Sequence, residues 1–262
     1  MEALVIGQMA LDNYYDLDGE PIATVPGGTA FNSGMWLDHR GFDTEISGTM
    51  GKDFPQIQPL DFSRTVDTEA SSPVTEVYLE KEGEETREYF PGNYSRAELE
   101  TWGTFDLIYL TSGLGEYVEP FIESEAETKA FCPGPEPETL EIENVEACLD
   151  EADYIFMNSY EKQVLDERME TSIEELPGLK DVEQVIITDS WKVRTYGEEN
   201  EEYEVDRIKD PLDTTGAGDA FSSTYLASRK QDKTHEEAIK KAMETARQIV
   251  DRKGAMPQNP IR

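Results

Sequence analysis

The chain has 262 residues, and 57 Asp and Glu against 23 Lys and Arg give it a formal net charge of −34. This charge excludes nucleic-acid binding through a basic face, because neutralising phosphates requires clustered Lys and Arg, and it disfavours anionic membrane surfaces. No window approaches the ~20 apolar residues of a membrane span, and the acidic start MEALVIG lacks the basic region of an export signal. Cys132 and Cys148 are too few for a disulfide framework. We therefore expect a reducing cytoplasm and neither a nucleic-acid nor a membrane partner.

The acidic residues lie along the whole chain, between apolar segments such as LVIG, LIYL, YIFM and VIIT. With 37% hydrophobic and 10% aromatic residues, the composition indicates a folded domain with an acidic shell rather than a disordered chain. Such a shell resembles that of proteins from salt-accumulating extreme halophiles. There the Debye length falls to ~3 Å near 1 M salt, so self-repulsion becomes tolerable. The alternative is an ordinary acidic cytoplasmic protein.

The halophile-type shell predicts that the melting temperature falls steeply when salt is removed, because the net charge of −34 is then unscreened. Thermal unfolding in low and in molar KCl measures this effect, and NaCl at equal concentration controls for a K⁺-specific contribution. A melting temperature that does not change with salt contradicts the halophile interpretation.

The first third of the chain predicts a strand, two hairpins and a helix. Ala3–Gly7 is an apolar strand that ends in Gly, and residues 14–25 predict a hairpin around Asp18-Gly19. Val74–Glu80 and Glu84–Phe90 predict a second hairpin. The segments between the hairpins are a helix from about Ala30 to Arg40, a strand Thr44–Gly48 and a polar, irregular stretch 52–74.

The rest of the chain predicts strands that alternate with helices. Capping boxes at Ser95–Glu98 and Thr234–Glu237 begin a short helix and the last helix. The predicted strands are Leu107–Leu110, Ala130–Cys132, Tyr154–Met157, Val185–Thr188, Val193–Tyr196 and Glu202–Val205. The other predicted helices are Tyr117–Glu127, Val145–Glu151, Tyr160–Glu170 and Gly216–Arg229, and the last one is Thr234–Arg252.

This alternation predicts an α/β fold with a doubly wound, mainly parallel sheet covered by helices on both faces. The two hairpins do not fit inside such a sheet, so we expect them to form a small antiparallel β lid at one edge. We expect one domain over residues 1–262, with lid segments at about 14–25 and 74–90. Ligands bind beyond the carboxyl ends of the strands in folds of this kind.

The strongest chemical signal is the string DPLDTTGAGDAF at residues 210–221. Gly216, Ala217 and Gly218 begin a helix, whose unpaired amides and partial positive charge predict an anion hole. Asp219 lies in the same first turn and predicts either a helix cap or a base that takes a proton from a substrate hydroxyl. Phosphoryl transfer requires both elements, namely donors for the moving phosphoryl group and an acceptor for the proton.

The whole string closely resembles the second signature of the ribokinase-like (PfkB) carbohydrate kinase family. Four further segments match that family in the same order, and they extend the resemblance over residues 1–262: GQMALD at 7–12, GGTAFN at 27–32, NSYE at 158–161 and RKGAMP at 252–257. The resemblance implies a ribokinase-like fold and an ATP-dependent kinase that phosphorylates an alcohol group, with Mg²⁺ as cofactor.

The resemblance also implies a role for each matched residue. The residues that would bind the acceptor sugar are Asp12, Gly27, Gly28 and Asn32. Those that would contact the nucleotide or position its phosphates are Asn158, Glu161, Thr188, Lys253 and Gly254, with Glu161 also holding Mg²⁺ through water. Asp213 and Thr215 would coordinate a monovalent cation such as K⁺.

Each matched segment also has a purely structural alternative. Gly27-Gly28 is typical of a tight turn, and Asp12 of a loop cap. Asn158 with Glu161 is typical of the N-terminal cap of a helix. Asp213 and Thr215 are equally compatible with a turn that positions the GAG loop.

Several positions depart from the family pattern. Thr188-Asp189-Ser190 stands where T-L-G is common, and Asp189 beside a triphosphate is unfavourable unless it turns away or meets a cation. Cys132-Pro133-Gly134 replaces a common D-P-x, so Cys132 is predicted to be a small buried residue rather than a nucleophile. His39 and His235 are predicted to lie on the surface, without a zinc site.

The expected reaction is phosphorylation of a primary hydroxyl on a small neutral sugar, with a nucleoside as the second choice of acceptor. A sugar acid would require an Arg in the pocket, and the nearby candidates are Arg87 and Arg96. The lid is compatible with a homodimer contact through Val77, Leu79 and Tyr89, and a monomer is equally compatible with the sequence.

Two functions of other classes were weighed against the kinase. A non-catalytic sensor that binds nucleotide or sugar is supported by the changes at Asp189 and Cys132, and opposed by the intact Asp219. A dinucleotide-binding oxidoreductase requires G-x-G-x-x-G after the first strand, and Gly7-Gln-Met-Ala does not supply it.

Overall fold

The structure is a computed structural model, which describes residues 1–68, 70–79, 85–90, 103–112, 115–175, 182–198, 200–208 and 211–257. Its strands in chain order are β1 Glu2–Ile6, β2 Ala10–Tyr15, β3 Pro21–Gly27, β4 Asp43–Gly51, β5 Asp61–Thr68, β6 Val74–Leu79, β7 Glu85–Phe90, β8 Thr104–Phe105, β9 Leu107–Leu110, β10 Glu125–Ala126, β11 Lys129–Phe131, β12 Tyr154–Asn158, β13 Gln184–Asp189, β14 Lys192–Gly197 and β15 Glu202–Glu204. Its α-helices are α1 Thr29–His39, α2 Gly115–Glu123, α3 Ile142–Glu151, α4 Ser159–Met169, α5 Ala217–Lys230 and α6 His235–Val250.

A nine-stranded sheet forms the centre of the fold, in the order β15-β14-β13-β12-β11-β9-β1-β4-β5. The pairs from β13 to β5 are parallel, whereas β14 and β15 pair antiparallel at one edge. The apolar runs of β1 and β9 are buried, as expected for strands covered on both faces. The predicted fold class is confirmed.

The two predicted hairpins join into one four-stranded lid sheet, in the order β3-β2-β6-β7. β2–β3 and β6–β7 are antiparallel hairpins, and a parallel pairing of β2 with β6 connects them. Tyr14, Val25 and Val77 form the small apolar cluster of this sheet. The expectation that Val77 is exposed at a dimer contact was therefore wrong, because this side chain is fully buried within its own lid. The side chain of Leu79 lies outside the described residues.

The sequence indicated that the segment 52–74 is irregular, but part of it forms a strand. Residues Asp61–Thr68 form β5, which pairs parallel to β4 and ends the large sheet. Phe62 is buried in β5, whereas Asp61 and Ser63 are exposed. An edge strand with one buried face shows only this weak alternation of polarity, and the sequence analysis missed it for that reason.

The end of α2 and the position of His235 differ from the predictions. Helix α2 ends at Glu123 rather than Glu127, because Glu125–Ala126 pairs with the short strand β8. His235 is buried and not on the surface: it follows the cap residue Thr234, and its Nδ1 lies 2.9 Å from the Tyr225 hydroxyl. The predicted capping box at residues 95–98 lies outside the described residues.

Parallel strands place their carboxyl ends along one edge of the large sheet. The chain leaves β9 at Thr111, β11 at Cys132 and β12 at the start of α4. The candidate residues therefore meet at this edge, together with the N-terminus of α5. In the part of the chain described here, no helix is both long enough and apolar enough to span a membrane.

Candidate active site

The GAG segment forms the N-terminus of α5, as predicted. Gly216 is the N-cap residue with a left-handed φ of 72°, and no side chain caps this end. The left-handed conformation favours Gly, and a Cβ here would lie 2.2 Å from the Cβ of Ala255. A Cβ on Gly218 would meet nothing within 4 Å, so the space beside this amide is open. The helix terminus is therefore accessible to an anion.

Asp219 faces α1 from the first turn of α5. Its Oδ2 accepts a hydrogen bond of 3.1 Å from Nδ2 of Asn32, a residue 187 positions away in sequence. Asn32 is only 3% exposed, and its Oδ1 is a buried acceptor without a hydrogen-bond partner among the described residues. Buried polar atoms in folded proteins are normally paired. This amide oxygen therefore offers an acceptor for a ligand hydroxyl directly beside Asp219.

The residues predicted to bind a sugar lie around the start of α1. Asp12 is 4% exposed on β2, and a Cβ on Gly27 would lie only 2.1 Å from its Oδ2. Gly28 has a φ of +88°, and a Cβ there would lie 2.7 Å from both the Ala10 nitrogen and the Gln8 carbonyl oxygen. Glycine is thus required at both positions because other protein atoms approach its backbone closely, and a tight turn is not the full explanation. Their role in sugar binding stays a prediction.

Asn158 and Glu161 form a reciprocal capping box at the start of α4. Asn158 Oδ1 accepts from the Glu161 amide at 2.8 Å, and Glu161 Oε2 accepts from the Asn158 amide at 2.8 Å. The capping alternative is therefore correct as a description of the local geometry. Burial raises the pKa of Glu161 to about 7; the Asn158 hydrogen bond lowers it, and the nearby Asp219 carboxylate raises it. Two carboxylates that repel each other in this way fit a divalent cation between or beside them.

The raised pKa of Glu161 predicts how the stability of the metal-free protein varies with pH. Its ordinary value is 4.5, so the folded state holds this proton more strongly than the unfolded chain does. The stability is present in full below pH ~4.5 and falls, by on the order of 3 kcal/mol, as the pH rises to ~7. Glu161→Gln should remove this decline in thermal or urea unfolding with EDTA.

A matched control exists in the second capping box of the chain. Glu237 occupies the same position in α6 but is exposed, and hydrogen bonds from Thr234 lower its pKa. Glu237→Gln should therefore leave the decline between pH 4.5 and 7 in place. Equal pH profiles for the Glu161 variant and the wild type would refute the assignment.

The carboxylate of Asp213 lies at the junction of the lid, the GAG loop and the C-terminal loop. Oδ2 accepts from the Tyr14 hydroxyl at 2.9 Å and from the Gly254 amide at 2.7 Å, and Oδ1 accepts from the Thr215 amide at 2.8 Å. Burial alone would raise the pKa of Asp213, but the hydrogen bonds from Gly254, Thr215 and Tyr14 lower it below its usual value. These donors occupy carboxylate oxygens that a monovalent cation would use, so the carboxylate of Asp213 does not fit the predicted cation site.

A cavity of about 460 Å³ opens beside the N-terminus of α5. It reaches from Asn158, Thr188 and Gly218 to the face of α6. Its apolar lining includes Trp191, Val205, Ile208, Phe221, Met243, Ala246 and Val250. Its charged lining residues are Lys192, Arg207, Arg247 and Asp206. Lys192 is paired with Glu202 and Glu204, which leaves Arg207 and Arg247 against Asp206. This local excess of positive charge, in a chain with a net charge of −34, suits an anionic ligand with a flat apolar part.

The cations of this cavity were missed by the sequence analysis, which selected Lys253 instead. Lys253 is half-buried and lies outside the described lining of the cavity. Arg207 and Arg247 belong to no recognisable motif, and only the pairing of β14 and β15 with the position of α6 brings them to one cavity. The one available signal was the scarcity of Lys and Arg in this chain.

The departures from the family pattern have local explanations. Asp189 meets a cation, since its Oδ2 lies 3.8 Å from Arg194. Ser190 has a φ of 51°, a conformation that Gly adopts without strain, and this explains why Gly is typical at the position. Burial raises the pKa of the Cys132 thiol well above its usual value, with further contributions from Glu161 and Asp219. A reactive thiolate at Cys132 is therefore disfavoured.

The sequence matches the model of the pfkB family carbohydrate kinases over residues 3–262. The chain belongs to this family. A pfkB kinase is a phosphotransferase that acts on a hydroxyl group, and the open helix terminus beside Asp219 is the arrangement that this chemistry requires. A search of the curated proteins finds no match.

Solved structures with the same fold include kinases for different acceptors. The nucleoside kinase of Methanocaldococcus jannaschii, an archaeal member of the ribokinase family, has a TM-score of 0.83 at 18% identity, covering 99% of this chain and 95% of its own. The nucleoside kinase of Burkholderia thailandensis in complex with inosine has a TM-score of 0.78 at 18% identity, with coverages of 99% and 95%. The ribokinase of Thermotoga maritima has a TM-score of 0.77 at 18% identity, with coverages of 100% and 97%. At these identities the likeness shows the fold of this pfkB kinase and not its acceptor.

Proposed function

We propose that this chain transfers the γ-phosphoryl group of ATP to a primary hydroxyl of a small sugar, with Asp219 as general base. The observation that carries the proposal is the position of Asp219, between the buried amide of Asn32 and the open N-terminus of α5. An acceptor hydroxyl bound at Asn32 lies beside the carboxylate that removes its proton. The negative charge of the moving phosphoryl group lies beside the amide of Gly218.

The cavity next to α5 supports a nucleotide as the donor. Trp191 and the apolar side chains of α6 offer a surface for a base, and Arg207 and Arg247 offer charge for phosphates. A ribokinase of the same fold, from Cryptococcus neoformans, has been solved in complex with ADP. ATP is the donor that this combination supports best.

Mg²⁺ is the metal that the carboxylates favour. Glu161 is buried near Asp219, and its burial together with this second carboxylate raises its pKa to about 7. When bound, Mg²⁺ would supply the positive charge that neutralises nucleotide phosphates. Glu161 would hold it through water, while its capping bond to the Asn158 amide keeps the carboxylate in place.

The acceptor side supports a polyhydroxylated compound. Asp12 and the Oδ1 atom of Asn32 are buried acceptors close to the start of α1. Hydroxyl groups are the donors that pair with such acceptors. Of the Arg residues considered for a sugar acid, the side chain of Arg87 and all of Arg96 lie outside the described residues. A neutral sugar is the first choice because the described acceptors suit uncharged hydroxyl groups.

A nucleoside is the second candidate, and one contact favours it. Tyr89 of the lid strand β7 accepts a hydrogen bond of 2.5 Å from Nε2 of Gln8, whose carbonyl oxygen borders Gly28. An aromatic ring that is held at the edge of the sugar subsite offers a stacking surface for a base.

A coupled assay of ADP release in molar KCl with Mg²⁺ and ATP tests the proposal. Pentoses, hexoses, 2-keto-3-deoxy sugar acids and nucleosides are offered as acceptors at equal concentration. Turnover with one neutral sugar supports the first choice, and turnover with nucleosides alone supports the second. Binding of ATP without turnover on any acceptor would favour the non-catalytic sensor.

A further inference from the structure

The lid strand β2 contacts the loop that leads into α5 through the buried hydroxyl of Tyr14. Tyr14 is fully buried on β2, two residues from Asp12, and its hydroxyl donates to Oδ2 of Asp213 at 2.9 Å. The two residues are 199 positions apart in sequence. This contact joins the acceptor side of the site to the loop that leads into α5.

The carboxylate of Asp213 accepts three hydrogen bonds from donors of the protein itself. Oδ2 accepts from Tyr14 and from the Gly254 amide at 2.7 Å, and Oδ1 accepts from the Thr215 amide at 2.8 Å. The Thr215 side chain also lies within hydrogen-bonding reach of the carboxylate and of the Tyr14 hydroxyl. An ionised carboxylate offers about four lone-pair positions, and Asp213 is only 1% exposed.

A monovalent cation at this place would require the same lone pairs. It would have to displace a buried donor, and a buried donor without a partner costs about 1–3 kcal/mol. The binding energy that K⁺ would obtain from one carboxylate oxygen is therefore offset by the cost of displacing that donor. The donor set of this chain therefore holds Asp213 without a metal ion.

We infer that the Tyr14 hydroxyl takes the place of a monovalent cation at Asp213, so that the kinase requires no specific monovalent cation. Tyr14 is a positioning residue: it acts through Asp213 on the Thr215 and Gly254 amides. The residue after Gly254, Ala255, packs against Gly216 at the N-cap of α5. Its carbonyl oxygen is fixed by the Trp36 indole N–H at 2.9 Å. The hydroxyl thus stabilises the geometry of the anion hole from the lid.

The kinetic test rests on the proposed function and compares cations at one ionic strength. Turnover is measured in KCl, NaCl and tetramethylammonium chloride at the same molar concentration, so that the acidic shell is screened equally. We expect wild-type kcat values that agree within about two-fold. A K⁺-specific activation of the wild type by about five-fold or more would overturn the inference.

Tyr14→Phe removes one donor and opens one lone pair of Asp213. We expect this variant to acquire a preference for K⁺ over tetramethylammonium of about five-fold in turnover, with a higher KM for ATP and a nearly unchanged KM for the acceptor. Tyr15→Phe is the matched control, because the Tyr15 hydroxyl on the same strand bonds to Glu76 instead, at 3.3 Å. A Tyr14→Phe variant that is as indifferent to cations as the wild type would refute the role of the hydroxyl.

A binding measurement keeps the test independent of catalysis. The melting temperature of the ADP-bound wild type is recorded in the same three chlorides, and we expect no stabilisation specific to K⁺. A K⁺-specific rise would overturn the inference even if no acceptor gives turnover. The wild-type comparisons require no variant, so a Tyr14→Phe protein that fails to fold leaves them decisive.

Discussion

Asp219→Asn lowers kcat by about 10²–10⁴-fold, because the amide cannot take the proton of the acceptor hydroxyl. Asn has nearly the shape of Asp, and its oxygen can still accept from Nδ2 of Asn32, which lies 3.1 Å from the carboxylate. The KM values and the melting temperature should therefore stay close to those of the wild type. The coupled ADP-release assay with the preferred acceptor measures the rate.

The control for this substitution is Asp189→Asn. Asp189 is a half-exposed carboxylate near the donor site, 3.8 Å from Arg194, and its pairing contributes little because it is exposed. Its removal should change kcat by no more than about two-fold. If Asp219→Asn retained a rate similar to that of the control, Asp219 would not be the base, and the capping role would be the correct one.

Gly218→Ala should lower kcat/KM for ATP by about 10²-fold, because the new methyl group would project into the space that we propose for the phosphates. A Cβ at this position meets no protein atom within 4 Å, and the backbone is outside the left-handed region. The fold therefore tolerates it, and Ala in the first turn can raise stability by up to ~1 kcal/mol. A variant with unchanged or higher melting temperature and weak ATP use would separate binding from folding.

The matched control is Gly115→Ala, at the first position of α2. A Cβ there would meet only the movable Nδ2 of Asn144, at 3.0 Å, and Gly115 is not among the residues that line the donor cavity. Its KM for ATP should equal that of the wild type. ATP kinetics that are also unchanged in Gly218→Ala would place the phosphates elsewhere, and the anion-hole assignment would then fail.

Local signals were sufficient for most of the large sheet. Buried parallel strands are short apolar runs, such as the LIYL of β9. A capping box marks the first residue of a helix, as Thr234 and Glu237 do for α6. Elements at the edges of the sheets were harder to predict from the sequence. β5 has one buried face, and α2 stops early because Glu125–Ala126 finds a strand partner that lies distant in sequence.

The candidate site divides in the same way. The motif residues Asp12, Gly28, Asn32 and Asp219 were identified from the sequence because each lies in a short contiguous pattern. The cations Arg207 and Arg247 were missed, since each comes from a different loop or helix that meets only at the cavity. His235 was misplaced because a polar residue after a helix cap does not reveal that its ring packs against Tyr225.

The sequence by itself determined the acidic shell, the α/β class, the family and the candidate residues of the reaction centre, because composition, periodicity and contiguous motifs are local properties. Only the tertiary structure decided how those residues are connected. Tyr14 and Asp213 are joined across 199 positions, and Asn32 and Asp219 across 187, by single hydrogen bonds. Such bonds depend on which strands and helices pack together, and the order of residues along a chain does not specify those distances.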